Sequence, residues 1–309
     1  MQVHSDINQV PRFRNGVITI GTFDGVHKGH QQLLSAMRRE ADAIGGETIL
    51  VTFTPHPRRI VQPEAPLELI NTLPEKTALL ERHGLDHLVV APFTPAFASL
   101  GAEAYIRDFL VGTFHPHTII IGYDHHFGAG RTGNFALLER QAHVFKYRLI
   151  EIPRHVLNEI SVSSTRIREA LKSGDVETAN ELLGYSFSFE GVVVHGDKLG
   201  RQLGYPTANL QYTDADKIHL GEGVYAVRVR VGDSEFGGML SIGKRPTLND
   251  TIERVEVNLF DFDRDIYGES IEVTVVSYLR AQEKYATLDE LKSQLRADRN
   301  DALRIIGQS

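Results

Sequence analysis

The sequence predicts two domains: an α/β domain with a parallel sheet, followed by a small antiparallel β domain. Its 309 residues exceed the roughly 150 residues that one domain usually takes. Strand-like and helix-like segments alternate in the first part, which favours a parallel sheet covered by helices on both faces. Later β-branched runs, separated by Gly and Asp turns, are typical of a barrel or sandwich. We therefore place the domains at 1–184 and 185–309.

Each predicted element rests on apolar spacing and on the residues that end it. In the first part, β-branched runs predict strands at 17–20, 48–53, 88–91, 118–121 and 148–152. Helical spacing predicts helices near 33–44, 74–83, 102–110, 134–145, 164–172 and 176–183. In the second part, strands are predicted at 187–195, 224–231, 238–242, 254–260 and 271–278, and a terminal helix over 288–306.

Composition excludes several classes of function. The chain has no cysteine, so it has no disulfide, no thiolate catalysis and no cysteine-ligated zinc. A net charge of −7 argues against nucleic-acid binding, and no apolar run is long enough for a membrane span. The N-terminus has no signal-peptide core. We expect a cytoplasmic protein whose oligomeric state the sequence leaves open.

A glycine-rich turn between the first strand and the first helix reads GTFDGVHKGH, from Gly21 to His30. Ligands bind at the carboxyl ends of strands in such sheets, and a helix N-terminus offers unpaired N–H groups to a phosphate. His27 and His30 lie one turn apart and can both donate to phosphates. A loop with two solvated histidines, or a zinc pair, is the alternative interpretation. We expect nucleotide contacts from Gly21, Thr22, Phe23, Asp24, Gly25 and Gly29.

This strand, turn, HxGH and helix arrangement resembles the HxGH nucleotidyltransferase superfamily. That resemblance implies a Rossmann-like domain in which His27 and His30 are catalytic. The superfamily has a second signature, to which the segment ISVSSTRIR at 160–168 is similar. It implies that β- and γ-phosphates are held there, although helix capping alone would also explain a serine at this place. The residues concerned are Ser163, Ser164, Thr165 and Arg168.

Two further strand ends sharpen the likeness: TFTPHPR at 52–58 and GYDHHFG at 122–128. With GTFDGVHKGH they resemble the adenylyltransferase module of bacterial bifunctional riboflavin kinase/FMN adenylyltransferases, or FAD synthetases. The family implies a flavin pocket near Pro55, His56 and Asp124. Its usual Phe-Arg-Phe-Gly is replaced here by His125-His126-Phe127-Gly128, and a neutral histidine is a poorer phosphate partner than arginine.

The loop HGDKLGRQLGYPTAN, at 195–209, carries glycines four residues apart. Such a loop can surround phosphates with its amides, and Thr207 and Asn209 can present oxygens, the donors that Mg²⁺ prefers, on one side of an extended chain. A barrel hairpin with turn glycines is the equally weighted alternative. The run resembles the flavokinase signature, which implies a six-stranded barrel, metal binding by Thr207 and Asn209, and phosphate contacts from Gly196, Gly200, Arg201 and Gly204.

The likeness continues in GKRPT at 243–247 and in VEVNL at 255–259. The family implies Glu256 as general base, whereas an outward-facing strand residue is the structural alternative. Asn258 stands where relatives often have His, and Arg280 is expected to contact nucleotide or flavin. We therefore expect ATP-dependent phosphorylation of riboflavin to FMN by the C-terminal domain, and adenylylation of FMN to FAD by the N-terminal domain, with Mg²⁺. The alternatives are an adenylyltransferase for another phosphate acceptor and a non-catalytic flavin or nucleotide sensor.

Overall fold

The computed structural model describes residues 1–153, 162–196, 200, 204–244 and 253–307, which form two compact units. The first unit consists of Met1–Leu67 and Asn71–Ser163, and the second of Glu68–Ile70 and Ser164–Ser309. The second unit therefore takes three residues from a point well before its main part of the chain.

The first unit is built on a parallel sheet of six strands in the order β1-β4-β3-β2-β5-β6 among its described residues. The strands are β1 (Gln2–His4), β2 (Val17–Ile20), β3 (Thr48–Thr54), β4 (His87–Pro92), β5 (Thr118–Gly122) and β6 (Arg148–Ile152). Alternate residues enter different cores: Ile49 and Val51 pack in one, and Leu50 in the other. Because side chains alternate along a strand, the sheet has a packed core on each face.

Helices cover both faces of this sheet. They are α1 (Lys28–Ile44), α2 (Pro57–Val61), α3 (Leu73–Arg82), α4 (Pro95–Ala98), α5 (Ala102–Ala104), α6 (Gly112–Phe114) and α7 (Phe135–Phe145). Between α5 and α6 lies a π-helical segment, Tyr105–Val111. The predicted α/β layering is confirmed, but the segment predicted as one α-helix at 102–110 changes its hydrogen-bond pattern within a buried apolar face.

The second unit is a closed antiparallel barrel with strand order β10-β11-β8-β7-β12-β9 among its described residues. Its elements are α8 (Ser164–Ser173), α9 (Val176–Leu183), β7 (Ser188–Val194), β8 (Ala208–Tyr212), β9 (Gly223–Val231), β10 (Ser234–Lys244), β11 (Glu253–Leu259), β12 (Ser270–Arg280) and α10 (Leu288–Gly307). The side-chain amide of Asn180 joins α9 to the barrel, since it donates to the Val275 carbonyl and accepts from the Phe187 N–H. The predicted barrel and terminal helix are confirmed.

Candidate functional site

The carboxyl ends of the parallel strands bring three predicted site segments to one edge of the first unit. The glycine-rich turn follows β2, Pro55 follows β3, and Asp124 follows β5. The charge of Asp124 acts on His27, because it raises the pKa of that ring against a larger lowering by burial. The first signature and the predicted flavin residue Asp124 thus belong to one site.

The turn after β2 has an unusual backbone. Phe23, Gly25 and Val26 have φ of 49°, 90° and 35°. A β-branched residue at positive φ is strained, and such strain persists only where the surroundings hold it. Val26 is fully buried in one of the sheet's cores, which supplies that hold. The turn is therefore a rigid feature placed before the N-terminus of α1.

The two histidines are stacked rather than solvated, so the solvated-loop alternative is wrong. Their ring centroids lie 3.7 Å apart, and the ring of Phe23 stacks on His30 at 4.5 Å. His27 caps α1: its Nδ1 accepts from the His30 N–H at 3.3 Å. Because Nδ1 accepts, the neutral His27 ring carries its proton on Nε2 and can donate it to a ligand.

Burial keeps both rings neutral. It lowers the pKa of His27 to about 4. It lowers the pKa of His30 well below its ordinary value, and the charges of His27 and Lys76 lower it further. His30 keeps part of its side chain exposed, but its Nδ1 is buried and has no hydrogen-bond partner among the described residues. Both imidazoles are thus poised as neutral hydrogen-bond donors beside a helix N-terminus.

Asp24 in the turn and Lys76 in α3 are both buried. Asp24 Oδ1 accepts from the Asn71 N–H at 3.1 Å, and the Lys76 ammonium donates to the Thr22 carbonyl at 2.8 Å. Lys76 was not among the predicted site residues. Lys76 lies three residues after Leu73 and four residues before Leu80. That spacing places it on the buried face of α3, and it was the sequence signal that could have identified this residue.

Pro55 lies beside an aromatic cluster, because it follows Thr54, whose carbonyl accepts from the Phe93 N–H. The sequence analysis missed this cluster. Pro55 is exposed, and the ring of His56 caps α2 by accepting from the Arg58 N–H at 3.1 Å. The cluster extends through the unit with centroid distances of 4.7 to 5.5 Å between most neighbours. Its members are Phe53, Phe93, Phe97, Tyr105, Phe109 and Phe127.

The second signature of the first half lies at the start of α8. Ser163 precedes the helix, and Ser164 and Thr165 begin it. The Arg168 Nε donates to the Glu68 carbonyl at 2.7 Å. By compactness these helical residues belong to the second unit. Their role as phosphate ligands stays a prediction.

In the barrel, the structure brings Thr207, Asn209 and Glu256 together. Glu256 lies opposite Asn209 in the pairing of β11 with β8, and Thr207 Oγ1 donates to Glu256 Oε2 at 3.3 Å. Glu256 is only partly exposed and lies 4.0 Å from Arg254. The three side chains present hydroxyl, amide and carboxylate oxygens, a donor set that fits Mg²⁺.

Two glycines of the predicted phosphate loop are explained by close contacts. A Cβ on Gly196 would overlap the side-chain amide of Asn209, and one on Gly200 would overlap the Tyr205 carbonyl and crowd the Thr207 hydroxyl. Gly204 has φ of 82°, where a side chain would be strained. Arg201, like Arg245, Pro246 and Thr247 of the GKRPT segment, lies outside the described residues.

The side chain of Asn258 is hydrogen-bonded to the backbone. Its amide donates to the Pro206 carbonyl at 2.7 Å, which fixes the backbone just before Thr207. Beside this contact lies a cavity of about 380 Å³, whose lining includes Tyr205, Phe260 and Arg299. The loop that carries Thr207 is therefore anchored at Pro206, next to this cavity.

The guanidinium of Arg280 is engaged by the carboxylate of Asp298. Its Nε donates to Asp298 Oδ1 at 2.9 Å and its Nη2 to Asp298 Oδ2 at 2.7 Å. Only Nη1 turns to a backbone carbonyl, that of Ala281. A flavin contact by Arg280 stays a prediction, and the observed role is to join β12 to α10.

Across the part of the chain that the structure describes, no group of three or more His, Asp or Glu side chains is arranged to hold a metal ion. The predicted zinc alternative for His27 and His30 therefore has no third ligand of these types in that part. Within the same residues, no helix combines the length and apolar character that crossing a membrane requires.

Comparison with known proteins places both halves. The FAD synthetase family model matches residues 10–166, and the riboflavin kinase family model matches residues 183–306. The bifunctional riboflavin kinase/FMN adenylyltransferase of Haemophilus influenzae is 38% identical over 301 residues, which cover 96% of this chain and 97% of its own. The enzyme of the same description from Escherichia coli K12 is 34% identical over 303 residues, covering 98% and 96%. A solved structure described as a macrolide-efflux protein from Streptococcus pneumoniae matches with a TM-score of 0.87, at 32% identity over 97% of each chain.

Proposed function

The chain belongs to the family of bifunctional riboflavin kinase/FMN adenylyltransferases, and from that membership we propose how its residues divide the two reactions. The enzyme phosphorylates riboflavin with ATP and then adenylylates FMN to FAD. The observation that carries the division of residues is a pair of separate polar sites, one in each unit: the stacked histidines before α1, and the Thr207–Glu256 contact in the barrel. Both family matches together argue against another phosphate acceptor and against a sensor.

For adenylylation, the FMN phosphate oxygen attacks the α-phosphorus of ATP, and pyrophosphate leaves with the bonding electrons. No general base is needed, because that phosphate is ionised at neutral pH. His27 donates from Nε2 and His30 from its neutral ring to the oxygens on which charge increases. Each preorganised donor of this kind contributes about 10²–10³ in rate. The turn from Thr22 to Gly25 and the N-terminus of α1 hold the triphosphate. The Gly21 N–H is engaged elsewhere, because it donates to the Val51 carbonyl at 3.0 Å.

For phosphorylation, Glu256 accepts the proton of the riboflavin 5′-hydroxyl as that oxygen attacks the γ-phosphorus and ADP leaves. A positioned base contributes about 10²–10⁴ in rate. Thr207 and Asn209 would hold Mg²⁺, which when bound neutralises phosphate charge. The hydrogen bond from Thr207 to Glu256 orients the carboxylate before substrate binds.

The remaining residue assignments stay predictions. They are phosphate contacts from Ser163, Ser164, Thr165 and Arg168, flavin contacts from Pro55, His56, Asp124 and Arg280, and the activity boundary at 184/185. The position of the aromatic cluster next to Pro55 supports a flavin ring there, since stacked aromatic rings stabilise one another. The cytoplasmic location and the absence of nucleic-acid and membrane partners are likewise predictions.

Two substitutions in the full chain test the division. We expect His30→Ala to abolish FAD formation from supplied FMN and to leave FMN formation from riboflavin unchanged. Glu256→Ala should do the reverse, because each variant removes a group from one site only. Both activities are measured on one preparation, by chromatography of the flavins after incubation with ATP and Mg²⁺.

The matched controls are His143→Ala in α7 and Glu269→Ala in the loop before β12, both exposed positions. These variants should keep both activities. Loss of both activities in a folded His30→Ala or Glu256→Ala protein contradicts the assignment of one site to each reaction.

A further inference from the structure

Lys76 is a buried cation that the division of residues above does not use. It lies in α3, whose N-terminus is fixed by a capping box between Thr72 and Glu75. Only 8% of Lys76 is exposed, and lysine is almost never buried without partners. Its burial therefore indicates that its ammonium has a specific task.

The ammonium of Lys76 joins three elements. It donates to the Thr22 carbonyl at 2.8 Å and to Thr52 Oγ1 at 3.3 Å, and Thr52 Oγ1 also donates to that carbonyl at 3.3 Å. Thr22 belongs to the strained turn, and Thr52 lies near the end of β3. Lys76 thereby fixes the peptide between Thr22 and Phe23, just after the chain leaves β2.

The charge of Lys76 is placed behind the anion-binding turn. The titratable groups that act on it or feel its charge are Asp24 in the turn and His30 in α1, and His30 in turn faces His27. Burial lowers the pKa of Lys76 to about 8, against the opposing effect of Asp24. The lysine charge also lowers the pKa of His30, which favours the neutral ring.

We propose that Lys76 is a positioning residue for FMN adenylylation: through Thr22 and Thr52 it holds the phosphate-binding turn in shape, and its charge attracts the anionic substrates to that turn. The inference rests on the assignment of the turn and His30 to adenylylation. It concerns FAD formation alone, since the barrel carries the residues of the other reaction.

The test uses the full chain with Lys76→Met, which removes charge and donors at similar length, and Lys76→Arg, which keeps the charge. The control is Arg82→Met, an exposed cation in the last turn of the same helix. FMN formation and FAD formation are each followed between pH 6 and pH 10. We expect Lys76→Met to lower FAD formation at pH 7 by about 10²-fold, the loss that a misplaced group causes, with FMN formation and Arg82→Met unchanged.

The pH profile separates positioning from a merely structural role. In the unmodified protein, FAD formation should decline above pH 8 as Lys76 loses its proton. In Lys76→Arg that decline should be absent, because guanidinium stays charged. An unchanged profile in Lys76→Arg, or full FAD formation by Lys76→Met, overturns the inference. If Lys76→Met does not fold, the Lys76→Arg profile decides alone. Should His30→Ala retain FAD formation, the site assignment itself fails, which is a distinct result.

Discussion

At the scale of single residues, the histidines of the turn couple chemistry to stability. Stacking and burial keep His27 and His30 neutral near neutral pH, which suits donors that must not be trapped in an ion pair with phosphate. The same burial makes protonation of the folded protein unfavourable. We therefore expect acid to destabilise this unit, because unfolding allows these rings to be protonated.

We expect the free energy of unfolding of the first unit to fall as pH decreases from about 6.5 to about 4. In that window His27 is protonated in the unfolded chain but stays neutral in the folded chain, because folding lowers the pKa of His27 from 6.5 to about 4. His27 alone accounts for about 3 kcal/mol of this loss. Above pH 6.5 both states are neutral and the effect is absent.

Urea unfolding at several pH values, followed by circular dichroism, checks this expectation. His27→Gln should show a smaller loss of stability between pH 6.5 and 4 than the unmodified chain. His143→Gln, at an exposed position in α7, should match the unmodified chain. An equal pH dependence in all three proteins would show that the His27 ring is not the source.

At Gly196, the absence of a side chain leaves room for Asn209 of the kinase site. Alanine there would push against the amide of Asn209. We expect Gly196→Ala to lower kcat/KM for FMN formation by about 10²-fold, as a 1 Å displacement of a binding group does, with FAD formation unchanged. Gly307→Ala, where a Cβ meets nothing within 4 Å, is the control. Flavin chromatography measures both, and equal FMN formation in both variants would refute the steric argument.

The sequence identified candidate site residues but not the residues that support them. His27, His30, Thr207 and Glu256 stand in recognisable motifs. Lys76 does not, because a lysine in an amphipathic helix is usually solvated and only its i−3 and i+4 leucines reveal its face. For Asn258, only the structure gives the partner, the Pro206 carbonyl.

At the scale of elements, the link between β12 and α10 is a buried ion pair. Arg280 and Asp298 have 17% and 4% of their side chains exposed, and Gln294 adds a donor to Asp298 at 2.8 Å. Removing one partner from such a pair leaves a buried charge, which costs about 3 kcal/mol. The terminal helix should therefore depend on this pair.

We expect Asp298→Ala to speed hydrogen exchange along α10 and β12, measured by mass spectrometry of the full chain. Asp301→Ala in the same helix is the control, since its pair with Arg304 is exposed and such pairs stabilise by at most about 1 kcal/mol. Similar exchange in the two variants would mean that apolar packing alone retains the helix. Packing is the competing cause, because Ala302 of α10 is fully buried against the barrel.

Element boundaries were predictable where the apolar period was regular. The strand at 17–20 and the helix at 176–183 match the structure residue for residue. The short strand β8 was not predicted, because its first two residues, Ala208 and Asn209, were assigned to the PTAN motif. Its sequence, ANLQY, does alternate apolar and polar residues, as a half-buried strand does. The π-helical segment shares its apolar face with an α-helix, so spacing could not distinguish them.

At the scale of the whole molecule, two sites on one chain need not act within the same molecule. FMN made by one chain can diffuse to another. We expect a mixture of His30→Ala and Glu256→Ala proteins to convert riboflavin to FAD after a lag in which FMN accumulates, although neither variant does so alone. Chromatographic time courses with equal enzyme check this. No FAD from the mixture would mean that FMN does not leave the chain that makes it.

The two units are not separated at a single point in the sequence, because the second also contains Glu68–Ile70. The helices α8 and α9 come before the run of strands that begins near residue 187, so they were predicted to belong with the α/β domain, whereas by compactness they belong with the barrel. Contacts such as the Ser277 hydroxyl on the Glu177 carboxylate, at 2.6 Å, connect residues a hundred apart and leave no local signal.

The short piece Glu68–Ile70 has a practical consequence for anyone dissecting the protein. Lys217 of the barrel unit donates to the Ile70 carbonyl at 2.8 Å and to the Ser188 carbonyl at 2.7 Å, and Leu69 pairs with Lys217 in a short parallel bridge. A truncated gene product starting at residue 164 or 185 would keep the Ser188 carbonyl but lack the Ile70 carbonyl, which leaves a nearly fully buried lysine without one of its acceptors. Expression of the kinase half alone should therefore need this tripeptide grafted back, or a replacement of Lys217.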